Sequence, residues 1–526
     1  MRFTRRKFKN VISSFAQLRS KILGKNRLAK VLLVLLLLGT GGLLAVAGTT
    51  NQILPRFQVF LDPGGAFATV NLGGPTDTTT NPFFEDMGTN GRRCVTCHQP
   101  SDAWSVTPPH IQARFAATQG TDPIFRPVDG ATCPIAHVST VDERREAYSL
   151  LLTKGLIRVG IAVPANADYQ VVSVYNRYGC NATDVISMYR RPLPTTNLPF
   201  LSAVMFDGRE SSPLTGTTKI SYSNYPASLF ADLAHQSVDA TNGHAQGDGT
   251  RPTPEEQKQI VDFETKLFTA QLFDNRAGFL GAGGAQGGPM PLSTQPFFIS
   301  INSSVDPLLP GFEPPGGLVK PGDGKFASSI FNLYGNWMQT KDDDYDERAA
   351  SRRSIARGEQ LFNTLQIPIT GVAGINDEVA AGGLVAGGIP TLQGTCGTCH
   401  DTPNVGNHSF PTPLNIGTGD LSPSDRSVNL GGLDVSYLPE ITVCKKGEAN
   451  NCKTTTDLGQ ALIDGKFDHV GKIKGPILRG LAGRAPYFHN GSAATLLDAV
   501  NFYDTRFNLN LSEREKRDLV AFLKTL

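Results

Sequence analysis

The chain has 526 residues, 40% of them hydrophobic and 18% charged, with 55 Gly and 35 Pro, which excludes a disordered chain or a coiled coil. A mean hydropathy of −0.17 excludes a polytopic membrane protein. The formal charge of +2 hides a division: residues 1–47 carry ten Lys or Arg and no acid, leaving the remainder at about −8, a poor match for nucleic acid.

The leader comes first. Basic residues from Arg2 to Lys30 precede the apolar run Val31–Leu38, and small residues lead on to Ala45-Val46-Ala47. A charged region, an apolar region and a cleavage-type site together read as an export signal. Residues 28–48 are also long enough to cross a bilayer of roughly 30 Å, so cleavage after Ala47 and retention as a membrane anchor both stay open. Either way, the positive-inside rule puts residues 50–526 outside the cytoplasm.

Cys94-Val-Thr-Cys97-His98 and Cys396-Gly-Thr-Cys399-His400 repeat one pattern. C-x-x-C-H is the attachment motif of c-type haem. Two thiols three positions apart reach the two vinyl groups of one porphyrin, and the adjacent imidazole turns to the iron. Two copies predict two covalently bound haems, held by Cys94, Cys97, Cys396 and Cys399, with His98 and His400 as iron ligands. A thioredoxin-like pair has no need of the repeated His, and a zinc ribbon sets its pairs closer together. Cys133, Cys180, Cys444 and Cys452 remain, an even number that suggests disulfides in an oxidising compartment. Cys444–Cys452 would close a short loop and Cys133–Cys180 a longer one; sequence leaves the connectivity open.

Helices are predicted over 141–156, 226–236 and 253–272, with a short strand at Val171–Tyr175. Residues 278–325 are dense in Gly and Pro and read as a surface excursion. Ser351–Asn363 has helical apolar spacing at Ile355, Leu361 and Phe362, and Ser512 caps an amphipathic closing helix to Lys524. Residues 365–395 and 401–440 read as loops. These elements describe a mainly α protein: a leader over 1–47, an N-terminal haem domain over 48–345 and a C-terminal haem domain over 346–526. Each resembles a class I cytochrome c with long loops and insertions.

Pro476-Ile-Leu-Arg479, Pro486-Tyr-Phe-His489-Asn-Gly-Ser492 and Thr495-Leu496 through Val500 resemble the signature P-x-L-R, P-Y-x-H-x-G-S, T-L, V of the bacterial di-haem cytochrome c peroxidase family, MauG-type enzymes included. Phe206-Asp207-Gly208-Arg209 is similar to that family's W-D-G-R segment, and the haem motifs follow in the expected order. About half of the chain, chiefly 100–180 and 245–345, finds no counterpart.

The resemblance implies that the N-terminal haem is the peroxide site and the C-terminal haem an electron relay. The family places a Gln and a Glu after W-D-G-R; this chain offers Gln236 and His244 there, with Asp239 behind them. His244 stands as acid/base, as axial ligand or as an ordinary structural His. All six Met precede the second haem domain, so the family's Met ligand is replaced, by position, with Tyr503. MauG-type enzymes are similar in carrying a Tyr ligand. Packing against the porphyrin edge is the alternative, with His408 and His469 as spare ligands. Phe206 replaces the family's inter-haem Trp, which excludes a Trp radical at that position; Trp104 is a substitute or a core residue. The family's calcium positions fall at Arg191 and Arg484, and two cations do not ligate Ca²⁺, so no calcium is expected. For His489 the resemblance suggests a role between the haems, a structural His being the alternative.

The implied function is an exported, periplasmic oxidoreductase that reduces H₂O₂ with electrons from a small cytochrome c or cupredoxin, or uses peroxide or O₂ to oxidise a substrate. The alternative is a non-catalytic di-haem electron-transfer cytochrome, which the missing distal Glu favours.

Overall fold

The computed structural model describes residues 52–201, 203–211, 227–295, 297, 331–339, 346–377, 390–400 and 413–526. The leader, His408 and most of the 278–325 excursion lie outside the described residues. So does much of the 401–440 loop's first part.

Phe57–Asp62 and Gly65–Asn71 are rich in aromatic and small apolar side chains around a Pro63-Gly64 turn, and they pair antiparallel with Asp62 opposite Gly65. Gly65–Asn71 pairs along its other edge with Leu267–Asp274, and Gly278–Phe279 completes a four-stranded sheet. Gly65 sits at φ 151 beneath the Phe273 carbonyl, where any Cβ would overlap that oxygen. All of Gly65–Asn71 is buried, so this strand packs on both faces.

Tyr169–Tyr175 pairs with Glu440–Lys445, which pairs with Cys452–Thr455, so one sheet joins distant parts of the chain. Ile157–Ala162 pairs with Val185–Arg190, and Ile367–Ile369 with Leu392–Gly394. The expectation of a mainly α protein is therefore corrected: the described residues hold five sheets of two to four strands among the helices, a mixed α/β class. The predicted 253–272 helix is also corrected. Its helix ends at Glu264, and Leu267–Asp274 is a strand.

Val141–Ala147 and Ser149–Lys154 divide the helix expected over 141–156. Ala227–His244 runs about two turns past the expected 236. Both remaining cysteine pairs are disulfides, Cys133–Cys180 and Cys444–Cys452, the latter between directly opposed strand residues. Among the described residues no helix is long and apolar enough to cross a membrane.

Glu347–Thr364 packs along Glu513–Leu523, whose N-cap is Ser512, accepting from the Glu515 amide. Phe362 and Phe522 meet edge to face with centroids 5.4 Å apart. Arg357 Nε donates to Asp518 Oδ2 at 2.7 Å across the same contact. Gly358 lies so close to the Asp518 carbonyl that an added Cβ would overlap it. Gly358→Ala is expected to force these helices apart and cost about 1–3 kcal/mol, in the range of overpacked cores. Chemical denaturation measures this; an unchanged midpoint would show that the helices separate freely.

Candidate functional site

Each C-x-x-C-H segment is one helical turn. The His98 amide donates to the Cys94 carbonyl at 3.1 Å, and the His400 amide to the Cys396 carbonyl at 2.9 Å. A single turn brings the two cysteines of each pair to one side and the histidine just beyond them. The Thr shared by both motifs closes the turn: Thr96 Oγ1 accepts from the Arg93 amide at 2.9 Å, and Thr398 Oγ1 from the Thr395 amide at 2.8 Å. The four motif cysteines stand outside the two disulfides, which take up the other four. Burial pushes the Cys94 and Cys97 thiols up and the Cys396 thiol up to about 12, which suits neither nucleophile nor redox pair.

Each turn opens into its own cavity. Cys94, Cys97, His98, Gln236 and His244 line one; Cys396, Cys399, His400 and Tyr503 line the other. His98 Nδ1 donates to the Trp104 carbonyl at 3.2 Å, which fixes its tautomer. Burial lowers this imidazole to about 4 against the pull of the Trp104 and Leu193 carbonyls, so it is neutral and able to ligate. Trp104 itself is fully buried, and its Nε1 donates to Thr69 Oγ1 at 3.1 Å. Thr69 of the four-stranded sheet thus anchors the residue whose carbonyl orients His98, and Trp104 is a core residue. In the second cavity His400 Nε2 and the Tyr503 hydroxyl lie 3.5 Å apart.

The two cavities share a wall that includes Arg191, Leu193, Phe206, Lys474 and Ile477. Phe206 meets the His489 ring edge to face at 5.9 Å, and its carbonyl accepts from the Lys474 amide at 2.7 Å. Behind them Arg190 is clamped between two buried carboxylates. It donates to Asp457 through Nε at 2.7 Å and Nη2 at 2.8 Å, and through Nη1 to Asp207. Burial works against these charges, but Arg190 and Arg209 hold the Asp207 carboxyl at about 2. His489 Nε2 is 3.7 Å from Asp457 Oδ2, and burial lowers His489 to about 4.

The walls fit haem c on this structure's own terms. Apolar side chains such as Ile367, Ile369, Val372 and Leu414 face the second cavity, and Leu198, Leu201 and Val204 the first. Lys474, only 4% exposed, has no side-chain hydrogen bond or ion pair among the described residues, and burial lowers its ammonium to about 8. Among the described residues, the hydrogen bonds of the Arg191 and Arg484 guanidinium groups go to carbonyls. Arg191 Nη2 donates to Val106 at 2.8 Å and to Arg484 at 3.1 Å, and Arg484 Nε donates to Arg479 at 3.1 Å. Burial lowers both guanidinium groups to about 10. Buried cations without carboxylates call for an anionic ligand. A flat apolar ring with two carboxylates, tethered at paired thiols, meets that demand.

Gln236 and His244 lie about two turns apart on one face of Ala227–His244, with Ser237, Ala240 and Thr241 completing the face toward the first cavity. Asp239 does not stand behind them. It is exposed and clusters with Glu210 and His235. The residue behind His244 is Asp129, whose Oδ2 takes His244 Nδ1 while Oδ1 takes Arg92. Glu264 also lines this cavity with no side-chain partner among the described residues, and burial raises it to about 8. His469 is bonded to Asp464 at 2.6 Å and is not among the residues lining the second cavity. Nothing in the sequence marked Asp129 or Glu264; Arg92, two positions before Cys94, had at least proximity to the motif.

No family model matches the chain. Stretches of it are similar to curated proteins. One is the cytochrome-c peroxidase IdrP2 of Denitromonas iodatirespirans, 39% identical over 87 residues, or 15% of this chain and 24% of that protein. Another is the cytochrome-c peroxidase IdrP1 of Pseudomonas sp. (strain SCT), 38% identical over 81 residues, or 13% of this chain and 21% of that protein. The chain thus matches about a quarter or less of the length of these relatives, and in those stretches it is cytochrome c peroxidase-like.

Proposed function

We propose that this protein is an exported di-haem c-type cytochrome that reduces hydrogen peroxide, or uses it to oxidise a substrate, in the cavity of His98, with the His400 haem as electron relay. The observation that carries this reading is the pairing of two apolar cavities, each with one C-x-x-C-H turn, across a wall holding Phe206 and Lys474, which has no charged partner among the described residues. The haem-bearing halves are residues 48–345 and 346–526. When bound, such haems supply the iron that exchanges electrons with peroxide and the conjugated ring that passes electrons on.

The chain's own residues supply the rest. Cysteines tether; His98 and His400 ligate. Peroxide reduction breaks the O–O bond and consumes two electrons and two protons to leave two waters. His244 takes the proton from one peroxide oxygen and returns it to the other as it leaves, while Gln236 on the same helix face would hydrogen-bond and orient the peroxide. Phe206 offers an aromatic ring between the cavities without itself being oxidised, and His489 packs that ring in place. Lys474, Arg191 and Arg484 would pair with the haem carboxylates. Arg191 meeting Arg484 supports the absence of calcium at that point.

Tyr503 would help His400 hold the iron of the second haem, a reading supported by its hydroxyl 3.5 Å from His400 Nε2 in the same cavity, and this favours a MauG-like branch. The basic leader and the two disulfides support export to the periplasm, free or held at the inner membrane by residues 28–48. A small cytochrome c or cupredoxin donates the electrons.

His244→Ala is expected to slow the reaction with peroxide by ~10²-fold or more in stopped-flow spectra, with both haems still attached. A wild-type rate would remove His244 from the mechanism, and a protein inert to peroxide before mutation would leave the non-catalytic electron-transfer reading. Tyr503→Phe is expected to change the visible and EPR spectra of the second haem; identical spectra would reduce Tyr503 to a packing residue.

A further inference from the structure

We propose that Asp129 is the positioning residue for His244, holding its ring so that Nε2 serves the cavity lined by His98. The proposal rests on the peroxidase reading above and assigns to that site a residue from outside every motif in the chain.

His244 is the last residue of its helix, and its side chain is 37% exposed, so the helix alone does not fix the ring. Three groups do. Its carbonyl, past the end of the helical ladder, accepts from Asn90 Nδ2 at 2.8 Å and from Arg92 Nη1 at 3.2 Å. Its Nδ1 meets Asp129 Oδ2. A carboxylate only accepts, so the hydrogen resides on Nδ1, and in the neutral ring Nε2 becomes the acceptor. That is the nitrogen a general base needs for the substrate proton.

Asp129 is itself immobile. Its side chain is 6% exposed, and its other oxygen takes the guanidinium of Arg92, which is 3% exposed. Arg92 is fixed in turn by donating through Nε to the Pro123 carbonyl at 2.8 Å and through Nη2 to the Ile124 carbonyl at 2.7 Å. Arg92 lies two residues before Cys94, so the same short segment that tethers one haem also anchors the carboxylate that aims His244. Burial alone would raise the Asp129 carboxyl, but His244 and Arg92 outweigh it and hold it below its ordinary range. Arg92, Asp129 and His244 all line the one cavity. A purely structural role would need only the Arg92–Asp129 pair; the second oxygen is spent on the imidazole.

A mutant cycle on the full haem-loaded chain tests this: wild type, Asp129→Asn, His244→Ala and the double variant, each with two haems per chain. Two readouts are taken, the second-order rate with hydrogen peroxide and the C–O stretching frequency of the ferrous carbon monoxide complex. Asp129→Asn is expected to slow the rate ~10–100-fold, the usual cost of losing a partner behind a functional His, and to shift the C–O band. In the His244→Ala background it is expected to do neither. Equal losses in both backgrounds, or no C–O shift, would overturn the positioning role while leaving His244 as the acid/base. A wild-type rate in His244→Ala would overturn both. Should Asp129→Asn be recovered without its haems, the same cycle with Asp129→Glu, which displaces the carboxylate by one methylene, is read by the same criteria.

Discussion

Arg190 held between Asp207 and Asp457 is the interaction on which the site depends. Asp207 follows Phe206, and Asp457 faces His489, so one buried guanidinium joins the segments that build the common wall of the two cavities. All three side chains are nearly inaccessible to water. Removing one partner from such a cluster leaves a buried charge uncompensated, a loss on the order of 3–5 kcal/mol. The Tyr169–Tyr175 and Glu440–Lys445 strands bind the same two parts of the chain by backbone pairing. The wall is therefore stiff, and the aromatic ring of Phe206 keeps its place against His489.

The charges near this wall have two fates. Arg190 finds carboxylates within the protein, while Lys474, Arg191 and Arg484 find none among the described residues and lose proton affinity to burial. A fold that buries three such cations beside two apolar cavities is incomplete without anions in those cavities. Under the di-haem proposal the haem carboxylates would complete it. Attachment, charge and packing would then follow from one group, which would also supply the core that the short helical turns of Cys94–Cys97 and Cys396–Cys399 lack by themselves.

The two attachment turns were legible because covalent chemistry fixes their spacing, and the Ser512 cap because capping is local. Both disulfide pairings were among those the sequence suggested. The short strand expected at Val171–Tyr175 lies within Tyr169–Tyr175, but the other strands were not legible. Leu267–Asp274 is buried on both faces through its first half, so its apolar run lacks the alternation of a half-exposed strand and reads as a continuation of the preceding helix. The Asp62-Pro63-Gly64-Gly65 turn was a usable hairpin signal that helix-period reading passes over. Ala227–His244 was read too short because its buried face turns polar after Leu233, at Ser237 and Thr241, where it lines a cavity instead of a core. Asp129 was out of reach, since its contact with His244 spans more than a hundred residues.

The central claim is that each cavity holds one thioether-bound haem and that the iron beside His244 is open to peroxide. Pyridine haemochrome spectra combined with EPR of the purified protein, before and after peroxide, test it most directly. The account predicts two haem c groups per chain, with a high-spin signal in at least one redox state that peroxide abolishes. Fewer than two such groups, or two haems that stay low-spin and ignore peroxide, would contradict it.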